Sequence, residues 1–205
     1  MKMKIVLATH NMDKCAEMKS IMRGIPVKLL TLNEYPKIGE IIENGKTLLE
    51  NALIKARTVH KLTNLPSLAD DTGLEVEILN GQPGIYSARY AGEKCSYSDN
   101  VNKLLQEMDN ISSDKRIAHF CTAIAYVDDN MELTTEGTVQ GLITDKRKGI
   151  DGFGYDPVFY VPEMNKTYAE MSIKEKNKIS HRGKAVRKMQ KMLQSHLPKT
   201  FHQME

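Results

Sequence analysis

The sequence predicts an α/β or α+β fold, on three observations. Strand-like and helix-like patterns intermix along the chain rather than segregating into blocks. Two capping boxes, Thr47-Leu48-Leu49-Glu50 and Ser172-Ile173-Lys174-Glu175, mark helix starts. The run Ile117 to Val127 is nearly continuous in apolar or small residues, the pattern of a central strand buried on both faces.

The elements follow in order. Ile5 to Ala8 reads as a buried strand ending at Thr9-His10-Asn11, before a helix with Cys15, Met18 and Met22 on one face. Val27 to Leu30 is a short strand, and Leu32 to Gly45, with Pro36 and two glycines, is irregular. The helix from Thr47 places Leu49, Leu53 and Ala56 inward and leaves Lys55 and Arg57 free for other work. Pro66 to Asp70 reads as a strand ending in acids, Leu74 to Leu79 as a second strand after a sharp turn, and Gly81 to Gly84 as a loop. Ser98 caps a helix running to Met108. Met131 to Ile143 alternates in part, as a strand with one exposed face does. After the glycine-rich Gly149 to Asp156, Val158 to Val161 is a strand stopped by Pro162. The last helix runs from about Ser180 to Leu197, with Ala185, Met189, Met192 and Leu193 as its apolar side.

A length of 205 residues suits one domain, or one domain with two lobes, and no repeat or linker divides it. With 40% hydrophobic and 27% charged residues the chain has the balance of a soluble globular protein, and a net charge of +3 gives bulk electrostatics no hold on nucleic acid. Cys15, Cys95 and Cys121 show neither metal-ligand nor disulfide spacing, which favours a reducing cytoplasm. The apolar run after Met1 is too short for a signal peptide, and no stretch is long enough to span a membrane.

Chemistry concentrates in five places. Thr9-His10-Asn11-Met12-Asp13-Lys14 joins a strand to a helix, where backbone N–H groups and the helix dipole favour an anion. A bound phosphate would also relieve Lys14, a cation in a first helical turn. The plainer reading is that Asn11 caps the helix and Lys14 is solvated. Gly45-Lys46-Thr47 resembles the end of a P-loop, but Glu40 stands where the pattern needs glycine, so that motif is rejected. Glu43 remains as a loop carboxylate able to reach a metal. Asp70-Asp71-Thr72-Gly73 puts two acids side by side at an apolar strand end. Alternation turns them to different faces, so one can bind a hard cation while the other orients a partner, and Gly73 permits a tight turn. Gly152-Phe153-Gly154-Tyr155-Asp156-Pro157 offers an aromatic that can stack on a base, or a structural turn with Phe153 in the core. Ser180-His181-Arg182, preceded by Lys176 and Lys178, brings donors to a helix start, or is a cap with solvated charges. Asp71-Thr72-Gly73 is also the aspartic-protease tripeptide. That chemistry needs two such aspartates sharing a proton, whereas this chain has one tripeptide and is rich in helix signals.

Taken together and in this order, these segments resemble the inosine triphosphate pyrophosphatase family. The matching pieces are Leu7 to Asn11 with Lys14, Glu50-Asn51-Ala52 with Lys55 and Ala56, and Ala69 to Gly73; then Pro83-Gly84-Ile85-Tyr86-Ser87-Ala88-Arg89-Tyr90, Gly152 to Pro157, and Ser180 to Gly183. The resemblance spans almost the whole chain. It implies an α/β fold, elongated and two-lobed around a long mixed β-sheet, forming a single nucleotide pyrophosphatase domain over residues 1–205 with the substrate cleft between the lobes. It also implies a cytoplasmic homodimer and a small-molecule nucleotide substrate, with no nucleic-acid or membrane partner. Mg²⁺ would be held by Asp71 and Glu43, and Asp71 would act as proton acceptor with Asp70 in support. Thr9, His10, Asn11, Met12, Asp13, Lys14 and Lys55 would hold phosphates, and Thr72 would contact substrate. Phe153, Gly154, Tyr155, Asp156, Lys176, His181 and Arg182 would hold base and sugar. His10 departs from the family's pattern, standing where a small residue is frequent. Maf-type pyrophosphatases share the general fold but lack this spacing of Phe-Gly-Tyr-Asp and Ser-His-Arg. A nucleotide-binding protein without turnover is the remaining alternative class.

Overall fold

A computed structural model of the chain describes residues 2–196. Leu197, the expected end of the last helix, lies outside the described residues. β1 (Met3–Leu7) pairs in parallel with β2 (Val27–Thr31), Ile5 opposite Leu29, and with the start of β3 (Ser67–Val76), Leu7 opposite Leu68. Parallel neighbours need crossovers. These contain α1 (Met12–Ile21) and α2 (Leu48–Thr63). The chain continues through β4 (Pro83–Gly84), α3 (Tyr97–Glu107), β5 (Ile117–Val127), β6 (Glu132–Ile143), β7 (Phe159–Val161), β8 (Lys166–Thr167), α4 (Ile173–Ile179) and α5 (His181–His196). The sheet order is β2-β1-β3-β5-β6-β7-β8, with β4 on β3; β6, β7 and β8 are antiparallel neighbours, so the eight-stranded sheet is mixed and the class is α/β.

The chain divides into two compact units. One comprises the described parts of Met1–Asp71, Thr122–Gly137 and Arg182–Glu205, the other Thr72–Cys121 and Thr138–His181. β3, β5 and β6 each pass from one unit into the other.

The first unit shows why alternation matters. Ile5, Leu7, Leu68, Ile124 and Tyr126 pack with Cys15 and Met18 of α1 and Ala185, Val186 and Met189 of α5. The intervening residues Val6, Ala8, Ala69, Ala123, Ala125 and Val127 pack with Ala52, Ala56 and Val59 of α2. Here the sheet carries helices on both faces, each buried aliphatic side chain contributing about 1.5–3 kcal/mol. In the second unit one core gathers Leu74 and Val76 of β3, Val101 and Leu104 of α3, and Ala118 and Phe120 of β5, together with Val139, Ile143, Phe159 and Tyr168. β6 alternates there, Thr138 and Gln140 outward and Val139 and Ile143 inward, as expected of a strand with one exposed face.

Several expectations are corrected. Ile117 to Val127 is a single strand, but only from Thr122 is it buried on both faces; Ile117, His119 and Cys121 are partly exposed. Asp70 to Gly73 is not a strand end or turn: β3 runs straight through it to Val76, because ladder pairing continues with β4 at Leu74, and a short 3-10 turn follows over Glu77–Leu79. The expected loop at Gly81 to Gly84 thus supplies β4. Helix α3 is capped by Ser96, not Ser98, because Asp99 is placed to return the bond: its carboxylate accepts from the Ser96 N–H at 2.8 Å. On α2 the buried side chains are Asn51, Ala52, Lys55, Ala56 and Val59, with Leu49 and Leu53 at the margin. Ser180 closes α4, and α5 begins at His181.

Candidate active site

Alternation along β3 separates the two acids. Asp70 shares its face with Leu68, toward α1 and α5; Asp71 shares its face with Ala69, toward α2. Asp70 is fully buried and meets cations from both neighbouring helices. Its Oδ2 accepts from Arg182 Nε at 3.1 Å and Nη2 at 3.0 Å, and lies 3.3 Å from Lys14 Nζ. Arg182 Nη1 also donates to Glu17 Oε2 at 2.5 Å. Burial alone raises a carboxyl pKa, but Lys14, Arg182 and Lys55 outweigh it and hold Asp70 far below the usual range. Asp70 with Glu17 against Lys14 with Arg182 makes a balanced set of two negative and two positive charges.

The other face is not balanced. Lys55 Nζ donates to Asp71 Oδ1 at 2.6 Å and to Glu43 Oε2 at 3.0 Å, and Asn51 Nδ2 approaches Asp71 Oδ2 at 3.4 Å. Burial pulls the Lys55 ammonium down, but Asp71, Asp70 and Glu43 together raise it, so it stays charged. Burial pushes the Glu43 carboxyl up; Lys55 opposes this and Asp71 adds to it. Two carboxylates thus share one ammonium, which leaves one negative charge over. The surplus and the hard oxygen donors fit a divalent cation. Among the described residues no cluster of three or more His, Cys, Asp and Glu is arranged as a metal site, and Mg²⁺ characteristically takes one or two carboxylates and completes its shell with phosphate and water. The expectation that Lys55 stays free is corrected: it is buried, because its stem packs on α2's inner face while its ammonium meets the acids. Arg57 is exposed and pairs with Glu132.

The strand-to-helix junction before α1 is tightly turned. Asn11 Oδ1 accepts from Asp13 N at 3.0 Å and Lys14 N at 3.1 Å, and Thr9 Oγ1 accepts from Asn11 N at 3.1 Å. Two of the N–H groups expected to await an anion are therefore taken by the Asn11 cap. Lys14 leaves the surface for Asp70, while His10, Met12 and Asp13 are exposed, His10 Nε2 lying 3.2 Å from Gly39 O.

The second unit gathers the aromatic residues. Asp156 Oδ2 accepts from Phe153 N at 2.8 Å and from Lys176 Nζ at 2.5 Å. This closure needs Gly152, whose φ is +76° and where a Cβ would stand 2.1 Å from Asp156 Oδ2. Gly154 likewise has φ +62°. The Lys176 ammonium lies 4.9 Å from the Phe153 ring centre and 5.5 Å from that of Tyr168, a cation held by two rings and a carboxylate. Phe153 is partly exposed and touches Tyr97, ring centres 5.8 Å apart. His181 is buried and stacks on Phe120 at 4.4 Å. Tyr155 is buried in the core and donates its hydroxyl to Ser87 O.

The expected residues therefore fall into two groups. Lys14, Glu43, Lys55, Asp70, Asp71 and Arg182 cluster in the first unit, and Phe153, Asp156, Lys176 and His181 in the second. Thr72, partly exposed, is the next residue of β3. Arg182, expected at the purine, has Nε, Nη1 and Nη2 each donating to Asp70 or Glu17, and is 1% exposed. The sequence reading gave no role to Glu17, Asn51, Tyr97, Phe120 or Tyr168. Two had a local signal: Glu17 is three residues beyond Lys14 on α1, and Asn51 four before Lys55 on α2, so each shares its helix face. The aromatics had none, because they meet only through the fold.

Comparisons with known proteins give the family. The chain is 48% identical over 187 residues to the dITP/XTP pyrophosphatase of Thermoanaerobacter pseudethanolicus, covering 91% of this chain and 94% of that one. It is 43% identical to the dITP/XTP pyrophosphatase of Bacillus cereus, covering 93% and 94%. A solved Ham1 protein from Coxiella burnetii superposes with a TM-score of 0.85 at 40% identity, covering 94% of this chain and 99% of that one. With the Ham1 family model matched over residues 5–192, the chain belongs to the Ham1 family.

Proposed function

We propose that this protein hydrolyses non-standard purine nucleoside triphosphates (ITP, dITP and XTP) to the nucleoside monophosphate and pyrophosphate, keeping deaminated purines out of DNA and RNA. Relatives at 43% and 48% identity bear the name dITP/XTP pyrophosphatase. The structural observation that carries the reading is the uneven charge around Asp71: two carboxylates against one buried ammonium.

In this mechanism Lys14 and Lys55 attract the triphosphate, with the Thr9 to Lys14 junction shaping its approach. Asp71 and Glu43 would hold Mg²⁺, which would supply neutralisation of the phosphate charge. The Asp71 carboxylate orients a water and accepts its proton, help typically worth about 10²–10⁴ in rate. Thr72, next on the strand, contacts substrate. The purine stacks on Phe153, and Lys176 and His181 donate to its 6-oxygen. Adenine presents an amine there, which leaves buried donors unsatisfied at about 1–3 kcal/mol each. Arg182, bound to Asp70 and Glu17, holds the first turn of α5, which His181 begins. The enzyme works as a homodimer in the cytoplasm, a location that the three widely spaced cysteines favour.

The test is pyrophosphate release from inosine, xanthosine, guanosine and adenosine triphosphates, with and without Mg²⁺. Rapid Mg²⁺-dependent release from the first two, with ATP slow, is expected. No release from any, or equal turnover of ATP, sinks the reading; tight binding with no release would instead make this a nucleotide-binding protein.

A further inference from the structure

The stretch Pro83 to Tyr90 carries part of the family resemblance, yet no residue in it has a role in the reaction above. Its structure supplies one. All of its relevant partners belong to the second unit. Ser87 opens a 3-10 turn and is 7% exposed. Its Oγ accepts from the N–H of Leu74, three residues past Asp71 on β3, at 2.8 Å, and donates to Gly84 O at 2.6 Å. Gly84 is itself opposite Leu74 in the β3–β4 pair. Both hydrogen-bonding capacities of one buried hydroxyl therefore fix the turn against β3. The Ser87 carbonyl, held in place this way, accepts from the Tyr155 hydroxyl at 3.0 Å. Burial pushes the Tyr155 phenol well above its ordinary pKa, so it remains a donor.

Tyr155 sits in the middle of the loop that presents Phe153 and Asp156. On its other side that loop is tied to Ala169, through Asp151 N to Ala169 O at 3.1 Å and Ala169 N to Asp156 O at 3.2 Å. The loop is also held by Lys148 N donating to Pro157 O at 2.8 Å and by Lys176 on Asp156, but these ties lie away from β3, and the Tyr155–Ser87 bond is the one that joins Tyr155 to the turn beside it. We propose that Ser87 is a positioning residue: through Tyr155 it fixes the aromatic loop of residues 152–157 relative to β3, and so sets affinity for the purine. This rests on the purine role proposed for Phe153. Ser87 does not touch the reacting atoms. Asp71 takes its partners from α2 and the segment before it, so the chemical step does not depend on the turn.

The test compares Ser87→Ala, Ser87→Thr, Tyr155→Phe and the double variant Ser87→Ala/Tyr155→Phe with the parent. Expected is a rise in KM for ITP of about five- to tenfold in each of Ser87→Ala and Tyr155→Phe, the loss of roughly one hydrogen bond. The kcat stays within about twofold, Ser87→Thr restores the parent KM, and the double variant is no worse than the larger single effect because both cut one link. Hydrogen exchange of amides 152–157 should quicken in both single variants while that of residues 5–8 is unchanged. A fall in kcat at constant KM, multiplying effects, or unchanged exchange at 152–157 overturns the proposal. If Ser87→Ala does not fold, Tyr155→Phe alone decides, since it keeps the ring and removes only the bond. If the parent hydrolyses none of the triphosphates, the functional reading fails, and the exchange experiment still decides whether Ser87 positions the loop.

Discussion

Asp70 and Asp71 are the same residue type one position apart on one strand, and the fold gives them opposite surroundings. Asp70 faces α1 and α5, is fully buried, and meets Lys14 and the Arg182 guanidinium, itself shared with Glu17. Charge on that face cancels, and the site is closed. Asp71 faces α2, keeps 8% exposure, and shares a single lysine with Glu43. Charge on that face does not cancel, and what remains is available to a cation. A strand's two-residue period thus separates a charge-balanced carboxylate from an unbalanced one with no spacing between them.

The sharpest way to break this comparison is Asp71→Asn. It should lower kcat for ITP by about 10²–10⁴ while leaving a folded protein, read by pyrophosphate release and thermal melting. Full activity in this variant would leave the contrast without content.

Asp70→Asn should do the reverse, acting first on stability. Removing one charge of a buried network leaves Glu17 alone against Arg182 and Lys14, one positive charge uncompensated, at about 3–5 kcal/mol, which for a chain of this size lowers Tm on the order of 10 °C. The pH dependence has a definite sign. Asp70's pKa is depressed in the folded state, so its contribution is complete above the ordinary carboxylate value near about 4 and is lost as pH falls below it. The variant should therefore lose stability less steeply in acid than the parent. A variant that melts with the parent and shares its acid profile would show Asp70 to be dispensable.

Glu43→Gln is the smallest of the three. It should raise the Mg²⁺ concentration for half-maximal rate on the order of tenfold, equivalent to one charge-assisted contact of about 1.5 kcal/mol. Because Glu43's pKa is raised, its charge is lost at a higher pH than an ordinary glutamate's. The parent should therefore need more Mg²⁺ as pH drops, and the variant should not share that trend. An unchanged Mg²⁺ requirement would confine cation binding to Asp71.

Much of the fold was legible because local chemistry specified it. Helices start at Thr47 and Ser172 where expected, since each cap lies within four residues; the box closes both ways only at Ser172, for at Thr47 the hydroxyl accepts from Glu50 N while the Glu50 carboxylate accepts from Lys46 N. The strand at Ile117 to Val127 was found from its apolar run alone. Gly73 misled, because a glycine before a hydrophobic run looks like a turn unless one knows that β4 continues the ladder beside it. Lys55 misled for a related reason: a lysine on a helix reads as solvated unless its acidic partner, sixteen residues away, is known to face it. The site's residue types were legible from the segments resembling the pyrophosphatase family. Which of them are joined was not.

What the sequence by itself determined is the set of elements, the opposite facing of two adjacent aspartates, and the residue types that chemistry on a triphosphate would use. These follow from periodicity and from contacts a few residues long. Only the tertiary structure decided that Arg182 belongs to Asp70, that Lys55 bridges Asp71 and Glu43, and that Ser87 steadies Tyr155. Arg182 and Asp70 are 112 residues apart, and Tyr155 and Ser87 are 68 apart. Which buried charge meets which, and where one negative charge is left over, depends on how helices pack across a sheet, and no local pattern encodes that.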